Sequence, residues 1–294
     1  DGFQVTQTPD RLVIAHSSQP VAEFVFRDEG ILRPYFANVH APGGLKATRS
    51  HPPVAGVDAT DHDRMHPGIW LAFGDLSGAD FWRNQGRIEH ARFTEPPSVQ
   101  DGRLMFATEC LLSTAEGRKL CSLTNRFTFA AQGNAWLLVW DATFHSDEGD
   151  FTFGDQEEMG FGARVATAIT EKNGGLITSS TGLKSAKNTW GRPAEWCDYS
   201  GAVNGKAIGI TLWSDSTNFR PSWWHNRDYG VFVANPFGRS AMNQGDRSAV
   251  TVRRGESFRL RFGAAIHAGS DYDASSVESA AARTRQMLHA EPRE

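Results

Sequence analysis

Apolar residues recur at every second position through most of this chain, in short runs separated by Gly, Asn, Asp or Pro. A period of two sends neighbouring side chains to opposite faces of an extended backbone, so each run reads as a strand with one buried face. Arg11-Leu12-Val13-Ile14-Ala15 and Val21-Ala22-Glu23-Phe24-Val25-Phe26-Arg27 form one such couple, joined at Ser17-Ser18-Gln19-Pro20. Further strands are expected over 104–112, 120–129, 135–144, 163–170, 208–213 and 230–234, with a last pair, 249–253 and 257–265, around Arg254-Gly255-Glu256. Strands following one another at about ten-residue spacing, without helical stretches between them, favour a sandwich over βαβ units.

The fold class expected is therefore all-β: a large antiparallel β-sandwich with long loops and one C-terminal helix, filling 1–294 as a single domain. The helix is placed at about 274–289, with Val277, Ala280, Ala281, Thr284 and Leu288 on one face and Asp273 as N-cap.

Acidic and basic residues, 34 and 30 in number, are interspersed to a net charge of −4, so no basic stripe exists to follow a nucleic-acid backbone. No apolar run approaches the roughly 20 residues of a membrane helix. A soluble protein is expected, cytoplasmic rather than periplasmic or secreted. The chain opens Asp1-Gly2-Phe3 with neither a start Met nor a signal-type apolar core, which leaves a removed leader and a trimmed start both open. Cys110, Cys121 and Cys197 have no metal-type spacing, and the first two read as buried thiols within strands.

Two stretches, 34–92 and 184–228, carry few clean strands but most of the histidines and many of the tryptophans. Long irregular segments this aromatic are places for function. Asp61-His62-Asp63-Arg64-Met65-His66-Pro67-Gly68-Ile69-Trp70 offers imidazoles for proton transfer or metal binding. The i, i+4 spacing of His62 and His66 loses its helical meaning before Pro67-Gly68. His90 lies close by, beyond Asp80-Phe81-Trp82. Glu158, in Glu157-Glu158-Met159-Gly160, abuts an apolar strand where burial can tune a carboxyl group. The densest segment runs Pro221-Ser222-Trp223-Trp224-His225-Asn226-Arg227-Asp228, then Asn235-Pro236-Phe237-Gly238. Indole faces stack on the C–H face of a sugar ring, while Arg and Asp bond its hydroxyls.

These segments give the expected site. His66, His90, Glu158 and His225 are the acid–base candidates, and His62, Trp82, Trp223, Trp224, Arg227, Asp228 and Asn235 the substrate-binding ones. The function expected is a carbohydrate-active enzyme, a glycoside hydrolase, lyase or epimerase, acting on a small sugar and requiring no cofactor. The alternatives are a non-catalytic sugar-binding module and a metal-dependent enzyme with a divalent ion on His62, His66 and Glu158. No P-loop, dinucleotide-binding fingerprint or G-x-S-x-G elbow is present.

Over roughly residues 10–270 the chain resembles the bacterial PmoA-like family, on Leu32-Arg33-Pro34-Tyr35, the block from Asp61-His62 to Trp70, Asp80-Phe81-Trp82, Glu158-Met159-Gly160, and Pro221-Ser222-Trp223-Trp224-His225 through Asn235-Pro236-Phe237-Gly238. It departs from that family's pattern at Arg64 and Met65, where an additional His is common, and this weighs against a three-His metal site. The family label invokes methane oxygenase; the absence of a spanning segment and of a copper ligand set speaks against that chemistry here. The resemblance implies carbohydrate work. At fold level the expected sandwich is also similar to galactose mutarotase-like supersandwiches, which implies His and carboxylate acid–base partners on one face.

Overall fold

In the computed structural model, which describes residues 2–289, the strands gather into two eight-stranded antiparallel sheets and a two-stranded ribbon. In chain order they begin with β1 (Phe3–Gln7), β2 (Arg11–His16), β3 (Gln19–Val25), β4 (Tyr35–Ala37), β5 (Ile69–Phe73) and β6 (Arg87–Gln100). Next come β7 (Arg103–Ser113), β8 (Lys119–Gln132), β9 (Ala135–His145), β10 (Phe151–Phe153), β11 (Met159–Arg164) and β12 (Leu176–Ser179). The last are β13 (Trp196–Val203), β14 (Lys206–Ser214), β15 (Trp223–Trp224), β16 (Val231–Asn235), β17 (Val250–Val252) and β18 (Ser257–Ala268). One sheet runs β1-β2-β3-β4-β5-β11-β16-β15, and the other β12-β13-β14-β18-β9-β8-β7-β6.

The sheets face each other across an aromatic core. Phe24 meets Phe106 and Phe127 at ring-centroid distances of 5.2 and 4.9 Å, Phe36 meets Trp140 at 5.6 Å, and Phe161 stacks on Phe262 at 5.3 Å. Edge and offset aromatic contacts of this kind add to the burial of the rings themselves. The all-β antiparallel sandwich read from the alternation is the fold. Cys110, Cys121 and Cys197 are buried free thiols.

A short α1 (Ala186–Thr189) lies between β12 and β13, and α2 (Ala274–His289) closes the described chain. Backbone N–H groups of Ser275 and Ser276 donate to the Asp273 carboxylate, the expected N-cap. Val277, Ala280 and Thr284 are buried, as their spacing requires, and Ala281 is half-buried; the Leu288 side chain lies outside the described residues. Among the described residues no helix is long and apolar enough to cross a membrane.

Several expectations are corrected. The strand expected over 163–170 ends at Arg164, and a 3-10 turn covers Thr167–Ile169. The runs 249–253 and 257–265 are not partners, because β9 and β14 occupy both edges of β18 and β17 pairs with β10. The stretch 34–92 contains β4, β5 and the start of β6. All five residues of β5 are buried, so both of its faces are apolar and no alternation marks it.

His90 is built into this architecture. It sits on β6 at the edge of the second sheet, 6% exposed, its ring 4.7 Å from Phe26 and 4.9 Å from Phe93 inside the sandwich. Burial, with Arg27 adding to it, pulls the His90 imidazole down to about 4. The unfolded chain takes up that proton near 6.5 and the folded chain only near 4, so His90 supports the fold above pH 6.5 and loses that support as pH falls between those values. His90→Leu should therefore flatten the acid-side loss of stability, read by urea unfolding at pH 7.5, 6, 5 and 4.5. A variant that loses stability with acidification as steeply as the parent protein contradicts this.

Candidate functional site

On β11, Met159, Phe161 and Ala163 point into the core between the sheets, so Gly160, Gly162 and Arg164 belong to the outer face. The same alternation puts Trp70 and Ala72 of β5 and Val231 and Val233 of β16 on that face, in a second apolar cluster with Trp82, Tyr35 and the half-buried Met65 and Tyr229. The two glycines clear its middle. A Cβ on Gly162 would sit 3.1 Å from the Trp70 indole and from Val233, and one on Gly160, where φ is +113°, would sit 2.1 Å from the Ala234 carbonyl oxygen.

Buried arginines shape the loops that wall this floor. The Arg49 guanidinium donates to the carbonyl oxygens of Ala59 (2.8 Å), Asp61 (2.6 Å), His62 and His66, folding 59–66 around itself. Arg33 does the same for Met65, Phe81 and Trp82. Within the first loop the N–H of His66 donates to the His62 carbonyl at 2.9 Å, so a hydrogen-bonded turn outside any helix forms ahead of Pro67 and brings the two imidazole centroids to 5.0 Å.

The two imidazoles then go separate ways. His62, 42% exposed, has Nδ1 2.8 Å from Asp61 and stacks on Tyr229 at 5.9 Å. His66 is buried, lies parallel to Trp70 at 5.2 Å and meets the edge of Trp82 at 5.9 Å. Its Nδ1 is 3.0 Å from Nη1 of Arg164. A guanidinium only donates, so Nδ1 holds a lone pair and the ring proton sits on Nε2. Burial first, then the charges of Arg164, His62, Arg49 and His225, hold the His66 imidazole well below its ordinary value and keep it neutral. Arg164 also grips both oxygens of Asp61, at 2.9 and 2.8 Å, and lies 4.9 Å under the Tyr229 ring. Burial would raise the Asp61 carboxyl, but the bonds from Arg164 and His62 and the charges of Arg164 and Arg49 outweigh it and hold the group far below the usual carboxylate range.

Across the floor, His225 follows β15 and its N–H donates to the Val233 carbonyl at 3.0 Å. Its buried Nδ1 lies 3.3 Å from the indole Nε1 of Trp190 and 3.5 Å from Glu157 Oε2. Arg227 donates to the same oxygen at 3.1 Å and covers the Trp190 ring at 5.5 Å. Glu158, next in the chain, pairs with Arg83 at 3.1 Å, and Arg83 also bonds Asp80.

Of the expected residues, the structure thus brings together His62, His66, Trp82, Glu158, His225 and Arg227, and it leaves out His90. Trp224 is a core residue: it packs on Phe232 and its indole N–H donates to the Ala194 carbonyl at 2.9 Å. Asn235 is consumed by the backbone, its Nδ2 donating to the carbonyls of Gln156 and Glu157 while its Oδ1 accepts from Phe237 and Gly238. Asp228 is an exposed loop carboxylate 3.9 Å from Lys172. Trp223 lies half-buried beside Asn235 on the sheet edge, with Arg220 5.7 Å from its ring. The trio His62, His66 and Glu158 is held by Asp61, Arg164 and Arg83 respectively, and among the described residues no group of three His, Cys, Asp or Glu side chains is placed to hold a metal.

Arg164, Asp61, Glu157, Trp190, Tyr229 and Arg83 were not among the expected site residues. The outward register of Gly160, Gly162 and Arg164 was the available signal for one of them. The Arg164–Asp61 pair carries an asymmetric prediction. Asp61→Asn leaves a buried guanidinium uncompensated and should cost about 2–3 kcal/mol, the low end for a broken buried pair because Asp61 itself is 41% exposed. Arg164→Met, which leaves a carboxylate facing solvent, should cost less; urea unfolding of the two variants checks the order, and the reverse order contradicts the pairing.

No curated protein matches this chain. Among solved structures, a galactose 1-epimerase from Lactobacillus acidophilus is 8% identical, with 91% of this chain and 98% of that one covered and a TM-score of 0.45. A galactose mutarotase-like protein from Lactobacillus casei is 9% identical over 90% of this chain and 100% of its own, at a TM-score of 0.39. A GH36 α-galactosidase from Geobacillus stearothermophilus is 13% identical at a TM-score of 0.39. The match covers 90% of this chain but only 40% of the length of that enzyme. At TM-scores below 0.5 these likenesses say nothing about the chemistry of this chain. The family match carries no PmoA-like name: its model, described as a family of unknown function, covers residues 11–282, and the chain belongs to that family, DUF6807.

Proposed function

We propose that the outer face of the first sheet binds a small, uncharged carbohydrate and moves a proton on it through His225. The observation that carries this reading is the contrast between the two buried imidazoles. His66 is locked by Arg164 with Nε2–H as a fixed donor. The Nδ1 of His225 has both a donor and a carboxylate within reach, so no single partner fixes which ring nitrogen carries the proton. With Nδ1–H turned to Glu157, Nε2 of His225 takes a proton from the ligand and the resulting imidazolium pairs with the carboxylate. His66 Nε2–H meanwhile donates to a ligand oxygen, stabilising charge that develops there.

The charges favour a neutral, hydroxyl-rich ligand. Three guanidiniums that reach this face already meet a carboxylate: Arg164 with Asp61, Arg83 with Glu158, Arg227 with Glu157. A charged ligand needs an unmatched partner, whereas alternating donors and acceptors beside Trp190 and Tyr229 suit hydroxyls and the C–H face of a ring. Glu157 pairs with Arg227 and Glu158 with Arg83, so neither of these two carboxyl groups is placed to serve as the protonated acid that two-carboxylate glycoside hydrolysis needs. Epimerisation, anomer interconversion or elimination by histidine fits better than hydrolysis.

The test is a panel of aldoses, ketoses and their glycosides, followed by NMR exchange between anomers and by uptake of solvent deuterium at carbon. One member of the panel should turn over. His225→Gln should lower kcat at least a hundredfold and His66→Gln by roughly tenfold or more, each with the fold retained. Turnover unaffected by His225→Gln sinks the assignment. A sugar that binds equally well to both variants and never turns over marks a binding module instead.

A further inference from the structure

The two neighbours of His225 Nδ1 ask opposite things of it. The Trp190 indole N–H can only donate, so at 3.3 Å it needs a lone pair on Nδ1. The Glu157 carboxylate, ion-paired with Arg227, can only accept, so at 3.5 Å it needs a proton there. One nitrogen cannot satisfy both. We propose that Trp190 is a positioning residue that keeps His225 in its Nε2–H form in the ligand-free protein, and that His225 becomes a base only when this bond is exchanged for the one to Glu157. This rests on His225 as the proton carrier, although its test needs no substrate.

The surroundings support Trp190 as the resting partner. Its backbone N–H donates to the Ala186 carbonyl at 2.9 Å, and the next residue, Gly191, donates to the Trp224 carbonyl at 2.8 Å, beside His225 in the chain. Asn226 donates to the Thr189 hydroxyl at 2.9 Å, tying α1 to the same segment. Glu157 Oε2 is occupied by Arg227 at 3.1 Å, and that guanidinium also lies against the Trp190 ring, so one cation touches both competitors. The charged group that faces His225 is Glu157, with Arg227 on the same carboxylate oxygen and His66 within range of the His225 charge.

The chemical consequence follows from counting ring protons. In the Nε2–H form the ligand-facing nitrogen has no lone pair and takes up nothing. Moving that one proton to Nδ1, by exchange with solvent, frees the Nε2 lone pair and changes neither charge nor redox state. A ligand that stacks on Trp190 and draws the indole away from Nδ1 thus turns His225 into a base as it binds.

The experiment is a multiple-bond proton–nitrogen spectrum of the histidine side chains in 15N-labelled protein, recorded with His225 neutral. The parent protein should show an unprotonated Nδ1 at His225. Trp190→Phe should shift the tautomer ratio about fivefold toward Nδ1–H, the change that loss of one hydrogen bond of ordinary net strength implies. Glu157→Gln should leave the ring in the Nε2–H form, and the His66 signal should remain Nε2–H in every variant as a check on the fold. A parent protein with Nδ1–H, or a ratio unmoved by Trp190→Phe, overturns the proposal. If Trp190→Phe does not fold, a rise of Nδ1–H in Glu157→Gln overturns it equally. None of these readings depends on turnover, so failure of the carbohydrate assignment is seen separately.

Discussion

A single buried cation organises the site. Arg164 is 1% exposed at the end of a central strand, and a guanidinium in that position must be matched or it destabilises the fold by several kcal/mol. Its match is Asp61, in a loop more than a hundred positions earlier in the chain, so the charge requirement alone pins that loop over the sheet. The remaining contact from Nη1 reaches His66 and fixes its tautomer. Loop position, ring orientation and donor polarity at His66 therefore follow from one constraint. Arg49, threaded through four carbonyl oxygens of the same loop, supplies the rigidity that lets the pair act as a clamp.

The opposite wall is built to be less fixed. His225 is buried as deeply as His66, yet its Nδ1 is shared between an indole and a carboxylate and not assigned to one cation. Low effective dielectric makes each of those bonds stronger than in water and makes their exclusivity matter. The two imidazoles therefore differ in what surrounds Nδ1, not in depth. A fixed donor facing a convertible acid–base group is the pairing on which the proposed chemistry on a hydroxylated ring rests.

The fold was legible because its signal is local and repeated. Alternation and apolar runs marked β2, β3, β7, β8, β9, β14 and β18 closely but missed β1 and β6, although both have exposed positions; helix α2 was marked by its period and by Asp273. Alternation was silent where both faces are covered, as on β5, which is apolar throughout. The site was legible only in part. His66, His225, Trp82, Glu158 and Arg227 drew notice by residue type, but type alone could not separate Trp223 from Trp224, whose neighbouring indoles face opposite sides of one short strand. Nor could it show that Asn235 is spent on four backbone groups, or that Glu157 and not Glu158 reaches His225. Such distinctions depend on strand register and on long-range arginine contacts, and neither leaves a mark in a local window of sequence.

The proposed ligand position is the outer face of the first sheet, between His66 and His225. Amide hydrogen exchange, measured with and without a saturating sugar found by screening, tests it most directly. Protection should be confined to the loop at 59–66, the segment 157–164 and the stretch 190–191 with 225–230. Protection centred on the outer face of the second sheet or around His90, with these segments unchanged, would contradict it.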